Sequence, residues 1–318
     1  MHLRCVEICA GAGGQALGLE RAGFEPQVLV EIENSCCKTL LANRPHWHVL
    51  EDDLKEFDGR PYRGVDLLAG GVPCPPFSKA GRQLGSKDER DLFPEALRLV
   101  DEIRPRAVML ENVRGFLDAV FEDYRLRLKR QLEKMGYAVG WRLLNASDYG
   151  VSQLRPRVVI AALRKDMSEV MSWPQPGKTQ PMTVGGLLQD QMALNGWTGV
   201  NRWIKQADDI APTIVGGSKK HGGADLGPTR AKKAWAALGV DGKGVADAPP
   251  ERDFVGMPRL TIRMVVRIQG FPDEWQFVGR KTPAYRQIGN AFPPPVAHAV
   301  ASEIYRSLTK RKMFALAA

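Results

Sequence analysis

The chain is 318 residues long, enough to bury a full core and to hold one large domain with a smaller one, and its 45 Lys and Arg against 36 Asp and Glu leave a net charge of +9 that favours a polyanionic partner. Its five cysteines, Cys5, Cys9, Cys36, Cys37 and Cys74, include no Cys-x-x-Cys spacing; they fit neither a zinc site nor a disulfide framework, so no metal ligands are expected and the thiols read as reduced and intracellular. No signal peptide opens the chain and no apolar run approaches the ~20 residues that cross a bilayer, so no membrane association is expected.

Residues 3–9 read as a short apolar-rich strand, followed by Ala10-Gly11-Ala12-Gly13-Gly14 and then by helical spacing over 15–22, closed by Gly23. Strand, glycine turn and helix open a nucleotide-binding βαβ unit, in which glycines let the backbone approach a ligand at a helix N-terminus. The Gly-x-Gly-x-x-Gly spacing is not met cleanly, with Leu17 and Gly18 out of place, so a ligand without a pyrophosphate fits as well as NAD. A second strand over 27–32 ends in Glu31-Ile32-Glu33, at the distance where a carboxylate meets a ribose hydroxyl pair. Asn34 is expected to cap the helix that runs to Asn43. A third strand near 47–50 ends in Glu51-Asp52-Asp53, and such acidic residues could bind a ribose and an adenine amino group.

The apolar run 65–69 predicts a buried strand that delivers Gly70-Gly71-Val72-Pro73-Cys74-Pro75-Pro76-Phe77-Ser78 to the sheet edge where open α/β folds bind ligands. Cys74, held there between prolines, is the candidate nucleophile. Lys79, Arg82 and Lys87, interspersed with Gly81, Gly85 and Ser86, read as a mobile basic loop. A helix over 91–103 and a strand over 106–110 follow, and Glu111-Asn112-Val113 puts a carboxylate on the same edge as Cys74. Residues 120–135 read as a basic amphipathic helix, and 139–145 and 158–163 as strands. Between those strands, Gln153-Leu154-Arg155-Pro156-Arg157 places two guanidiniums at alternate positions, on one side of an extended segment, suited to phosphate or a base carbonyl.

Composition changes at Trp173-Pro174-Gln175-Pro176-Gly177. To about residue 258 the pattern is irregular, with Thr213-Ile214-Val215-Gly216-Gly217 and a basic, glycine-rich run that includes Lys219 and Lys220. Short β segments joined by such loops fit a small nucleic-acid-reading domain. Order returns over 259–269; then Gly289-Asn290, ahead of Pro293-Pro294-Pro295, reads as a rigid turn before a final helix over 296–308.

In order, Ala10 to Gly14, Glu31, Asp53, Pro73-Cys74, Glu111-Asn112-Val113, Gln153-x-Arg155-x-Arg157, the 259–271 segment and Gly289-Asn290 resemble the motifs of the DNA (cytosine-5)-methyltransferase family, over nearly the whole chain outside 175–255. The resemblance implies an α/β fold: a Rossmann-like class I methyltransferase domain, a mostly parallel twisted sheet with helices on both faces, over 1–174, completed by 258–318. Residues 175–257 would form a small, irregular, β-rich target-recognition domain, with Thr213-Ile214 as the family's Thr-(Leu/Ile/Val) pair. It implies S-adenosylmethionine as methyl donor, with S-adenosylhomocysteine as product, held by Cys9, Gly11, Gly13, Gly14, Glu31, Ile32, Asp53, Leu54, Pro73 and Asn290. Catalysis would rest on Cys74, Glu111, Arg155 and Arg157, and DNA contacts on Ser78, Arg82, Gln153, Thr213, Lys219 and Lys220. Double-stranded DNA is the implied partner, with a cognate restriction endonuclease as a candidate second one; a cytoplasmic, nucleoid-associated monomer is expected.

The chemistry explains the residue types. Cytosine C5 is a weak nucleophile until a thiolate adds at C6, and a thiol with pKa ~8.5 needs a positive environment to ionise. Glu111 can act at N3 and Arg157 at O2 to offset the charge that builds on the ring. C6 is shielded in a duplex, so the base must flip out, at a cost of a few kcal/mol. Two departures from the family stand out: Cys9 replaces a usual Phe, which weakens adenine stacking, and Pro75 replaces a usual Gln. Competing readings are a tRNA cytosine methyltransferase, whose Cys-Phe-Thr signature has no counterpart because no cysteine follows Cys74, a catalytically silent DNA-binding protein, and a nicotinamide-dependent dehydrogenase.

Overall fold

The computed structural model describes residues 2–73, 91–166, 172–178, 180–217 and 223–315. The chain divides into two compact units, one made of residues 1–144, 156–175 and 296–318, the other of 145–155 and 176–295.

The first unit is built on a seven-stranded sheet. Its strands are β1 (Leu3–Ile8), β2 (Phe24–Glu31), β3 (Val49–Glu51), β4 (Leu67–Gly71), β5 (Ala107–Val113), β6 (Tyr137–Asn145) and β7 (Pro156–Arg164), in the order β3-β2-β1-β4-β5-β7-β6. The first five pair in parallel, and β7 runs antiparallel to β5. Helices α1 (Gly14–Arg21), α2 (Asn34–Asn43), α3 (Phe93–Ile103) and α4 (Glu122–Lys134) connect them. Strand alternation sends Val6, Ile8, Val28, Val30, Leu68, Val108, Leu110, Val158 and Ile160 into one core with Phe93, Leu97, Val100 and Ile103 of α3 and Leu128 and Leu132 of α4. Each such side chain contributes roughly 1.5–3 kcal/mol by leaving water. The three-and-four spacing of the α3 residues makes that helix amphipathic, Pro94 suits its first turn, and Arg104 ends it in the left-handed region (φ 52°).

Local differences from the sequence reading have local causes. Asn34 does not cap α2: Glu33 takes the cap position because Glu31 Oε1 accepts its N–H at 2.8 Å, and the Asn34 amide instead donates to Glu51 Oε2 at 2.6 Å. β5 continues three residues beyond Leu110 because β7 keeps pairing with it, Glu111 opposite Val159 and Val113 opposite Arg157.

The second unit contains α5 (Val184–Met192), α6 (Val200–Gln206), α7 (Thr229–Ala237), α8 (Ile262–Ile268) and α9 (Lys281–Asn290). The expectation of a β-rich 175–257 region is therefore corrected. Among its described residues the regular elements are the helices α5, α6 and α7, joined by irregular chain, and the unit's β pairings are the isolated bridges Gln153–Ala211 and Ala246–Thr261. Val184, Leu188 and Met192 bury one face of α5, whose cap is Thr183, while Trp203 and Trp235 anchor α6 and α7. Helices this short, set between glycines and prolines, leave little periodicity to read. Gly289-Asn290 is also not a free turn but the last turn of α9; α10 (Pro294–Ala315) then starts on a proline.

Candidate active site

β1 ends at Ile8, and Cys9 turns the chain at φ 51°, a conformation rarely adopted outside glycine. Gly11 (φ 55°) and Gly13 (φ 88°) continue the turn, and Gly13 leads into α1 with no side-chain cap bond. Glu31 pins this loop: its Oε2 accepts the Gly11 N–H at 2.7 Å while Oε1 holds Glu33. Burial raises the Glu31 pKa, and those two N–H bonds offset part of the rise. Burial also pushes the Cys9 thiol far up, with the charges of Glu31, Asp53 and Glu7 adding to it. Cys9 is thus an unreactive thiol inside an acidic surrounding that suits a cationic ligand. Ile32, just past the end of β2, is 61% exposed, whereas the Leu54 side chain is buried in the core and its carbonyl accepts from Arg98 at 2.9 Å.

At the C-terminal edge of the sheet, Gly71 of β4 stands opposite Glu111 of β5. A Cβ at Gly71 would make ordinary contact with Glu111 Oε2 at 3.6 Å, so the carboxylate lies over the end of β4. Asn112 Nδ2 donates to the Val72 carbonyl at 3.4 Å, tying β5 to the chain just before Pro73, which is exposed. From β7, Arg157 Nε reaches Glu111 Oε1 at 2.8 Å, with the side chains only 12% and 11% exposed. Cys74, Ser78 and Arg82 lie outside the described residues.

In the second unit Arg155 is 1% exposed and donates to the carbonyls of Ile214 (2.6 Å), Gly289 (2.6 Å) and Ala291 (3.0 Å). The expectation that Arg155 and Arg157 work from one side of one extended segment gives way to separate roles. β7 begins only at Pro156, and the Arg155 guanidinium is committed to backbone carbonyls. Gln153 is fully enclosed rather than presented to a ligand: Oε1 accepts the Ile214 N–H at 2.9 Å and Nε2 donates to Gln269 Oε1 at 2.8 Å. Thr213 Oγ1 donates to the Leu154 carbonyl, and Asn290, exposed at the end of α9, donates to Gly217 O at 3.4 Å. Lys219 and Lys220 lie outside the described residues.

The family model for C-5 cytosine-specific DNA methylases matches residues 3–306. The chain belongs to that family. It is 56% identical over 313 residues to the Type II methyltransferase M.NgoMIV of Neisseria gonorrhoeae, covering 98% of this chain and 99% of the relative. It is also 56% identical over 312 residues to M.NaeI of Lentzea aerocolonigenes, covering 96% and 75%. Solved structures share the fold: Entamoeba histolytica methyltransferase EhMeth (TM-score 0.68, 14% identity, 97% and 99% covered) and S. pombe Dnmt2 methyltransferase (TM-score 0.64, 16% identity, 97% and 100% covered). The chain is accordingly a DNA cytosine-5 methyltransferase, and the family implies S-adenosylmethionine as its methyl donor.

The residues of this methylase fit that donor. The sulfonium is cationic, and the Glu31 and Asp53 carboxylates act on the Cys9 turn; the glycine turn before α1 leaves open space, with no atom of the described residues within 4 Å of a Cβ at Gly11. Among the described residues no group of three or more His, Cys, Asp or Glu could hold a metal ion, and no helix is long and apolar enough to cross a membrane. Two features of the methylase escaped the sequence reading. Gln269 completes the Gln153 cluster and donates to the Ala291 carbonyl at 2.6 Å. Glu7 is 1% exposed, and both its oxygens lack a hydrogen bond of normal geometry. A carboxylate between the apolar Val6 and Ile8 was the available signal for Glu7.

Proposed function

We propose that the enzyme methylates C5 of a cytosine flipped from a specific duplex sequence, through a transient bond between Cys74 and C6. The observation that carries this reading is the enclosed Glu111–Arg157 pair beside the end of β4, on the strand edge from which the chain continues into Pro73-Cys74. As Cys74 adds at C6, a protonated Glu111 is suited to give its proton to N3 and Arg157 to hold O2, so that the negative charge on the ring is met by groups already in place. S-adenosylmethionine supplies the electrophilic methyl group when bound. Gly11, Gly13, Gly14, Glu31, Ile32, Asp53, Leu54, Pro73, Asn290 and the Cys9 turn hold it, with Leu54 and Pro73 contributing backbone. Loss of the C5 proton and expulsion of Cys74 complete the turnover.

Residues 175–257 act as the target-recognition region, and 1–174 with 258–318 make up the catalytic domain. Thr213, Lys219 and Lys220 there, with Ser78 and Arg82 of the sequence after Cys74, contact DNA. Arg155 and Gln153 act through the segments they brace. The identity to Type II methyltransferases over nearly the full chain supports a restriction-modification role; a cognate endonuclease as partner and a monomeric cytoplasmic enzyme belong to the same proposal. Incubation with tritiated S-adenosylmethionine and either duplex DNA or tRNA tests the reading: label is expected in 5-methylcytosine of the duplex, and label in tRNA alone overturns it.

A further inference from the structure

Two glycines of the second unit sit where dihedral angles do not require them. Gly289 lies inside α9, where glycine weakens a helix relative to alanine, and Gly216 is not among the glycines with positive φ. Space is the reason for both. A Cβ at Gly289 would come 2.4 Å from Gly216 N and 2.5 Å from Gly216 Cα; a Cβ at Gly216 would come 2.6 Å from Arg286 O and 2.4 Å from Asn290 Oδ1. Two backbones therefore cross in direct contact. Hydrogen bonds brace the crossing on both sides: Arg155 joins the Ile214 carbonyl to those of Gly289 and Ala291, Gln153 holds the Ile214 N–H, and Asn290 reaches Gly217 O. Above this anchorage Val215 stays 47% exposed and Thr213 half-buried.

We propose that the Gly216–Gly289 crossing is a positioning device that couples the two substrates, making Asn290 on the methyl-donor side and the 213–217 segment on the DNA side one rigid piece. The proposal rests on the assignments of Asn290 and Thr213 made above. Displacing the 213–217 segment then displaces Asn290, so each substrate favours the arrangement that binds the other, by the same factor in both directions.

The test is carried out on Gly216→Ala and Gly289→Ala in the full chain. It measures affinity for the methylated duplex sequence with and without S-adenosylhomocysteine, and KM and kcat for both substrates. In the unsubstituted enzyme each ligand is expected to tighten the other about fivefold or more. In the variants that factor is expected to fall towards one, with both KM values up about fivefold to tenfold and kcat little changed. Gly140→Ala, whose Cβ meets only Trp173 at 3.7 Å, serves as the control with unsubstituted values expected. Retention of the full coupling factor, a rise in only one KM, or a fall in kcat alone that tracks the folded fraction overturns the proposal. Should the alanine variants fail to fold, Asn290→Ala adds no atom: a raised KM for the duplex as well as the donor supports the coupling, and a raised donor KM alone overturns it. An unsubstituted enzyme that transfers no methyl group to duplex DNA refutes the functional reading itself, whereas normal transfer with coupling intact in Gly216→Ala refutes this proposal alone.

Discussion

At the scale of single residues, the enclosed Glu111–Arg157 pair, with Nε and Oε1 2.8 Å apart, is the proposed seat of catalysis: a protonated Glu111 and the Arg157 guanidinium would meet negative charge on a pyrimidine without reorganising. Glu111→Gln and Arg157→Lys are each expected to lower kcat about 10²- to 10³-fold. Because the two act as a unit, the double variant should lose little more than the worse single one, as measured in parallel methyl-transfer assays. Glu7 makes a prediction about pH. Burial, then the Glu31 charge, raises its pKa well above 4.5, and the Ala16 N–H offsets only part of that. The folded chain therefore binds this proton more tightly than the unfolded chain, and stability falls as pH climbs from about 4.5 through the raised value. Glu31, also raised, adds a contribution of the same sign. Glu7→Gln should flatten that fall and stabilise the protein by about 1–3 kcal/mol at pH 8, read by urea denaturation across pH. A variant less stable than the parent at pH 8 contradicts a strained buried carboxylate.

At the scale of elements, the sheet was legible because its parallel strands are largely apolar runs ending in residues assigned to the proposed site: Glu31 closes β2, Gly71 closes β4 and Glu111 lies near the end of β5. What the sequence could not convey was pairing between distant segments. That β7 would lie antiparallel on β5 and bring Arg157 to Glu111 depends on a crossing of the chain that no local pattern records. Short helices such as α6 and α7 were read as irregular structure because a single Trp anchors each, Trp203 and Trp235, and one buried residue makes no period. Gly70 shows how tightly the strands that were legible are packed. A Cβ there would come 2.5 Å from Ile8 Cγ1 and 2.8 Å from the Ile8 carbonyl. Gly70→Ala is expected to cost about 1–3 kcal/mol of stability, measured by chemical denaturation, and a neutral result would show that β1 and β4 can part.

At the scale of the whole molecule, a net charge of +9 predicts that association with duplex DNA is driven in part by release of counterions. The logarithm of the binding constant should fall linearly with the logarithm of salt concentration, by about 0.9 per phosphate neutralised, and replacing Lys219 or Lys220 should reduce that slope by about one each. A slope near zero contradicts the assignment of the basic segments to DNA. The central claim, a covalent bond between Cys74 and the base, is tested most directly with a duplex that carries 5-fluorocytosine at the target position, because a fluorine in place of the C5 proton leaves nothing for a base to remove and the adduct cannot resolve. In the presence of the methyl donor the unsubstituted enzyme should form a one-to-one complex that survives denaturing electrophoresis, and Cys74→Ala should bind the duplex but form none. Absence of that complex from an enzyme that methylates ordinary cytosine normally, or its formation by Cys74→Ala, contradicts the covalent route.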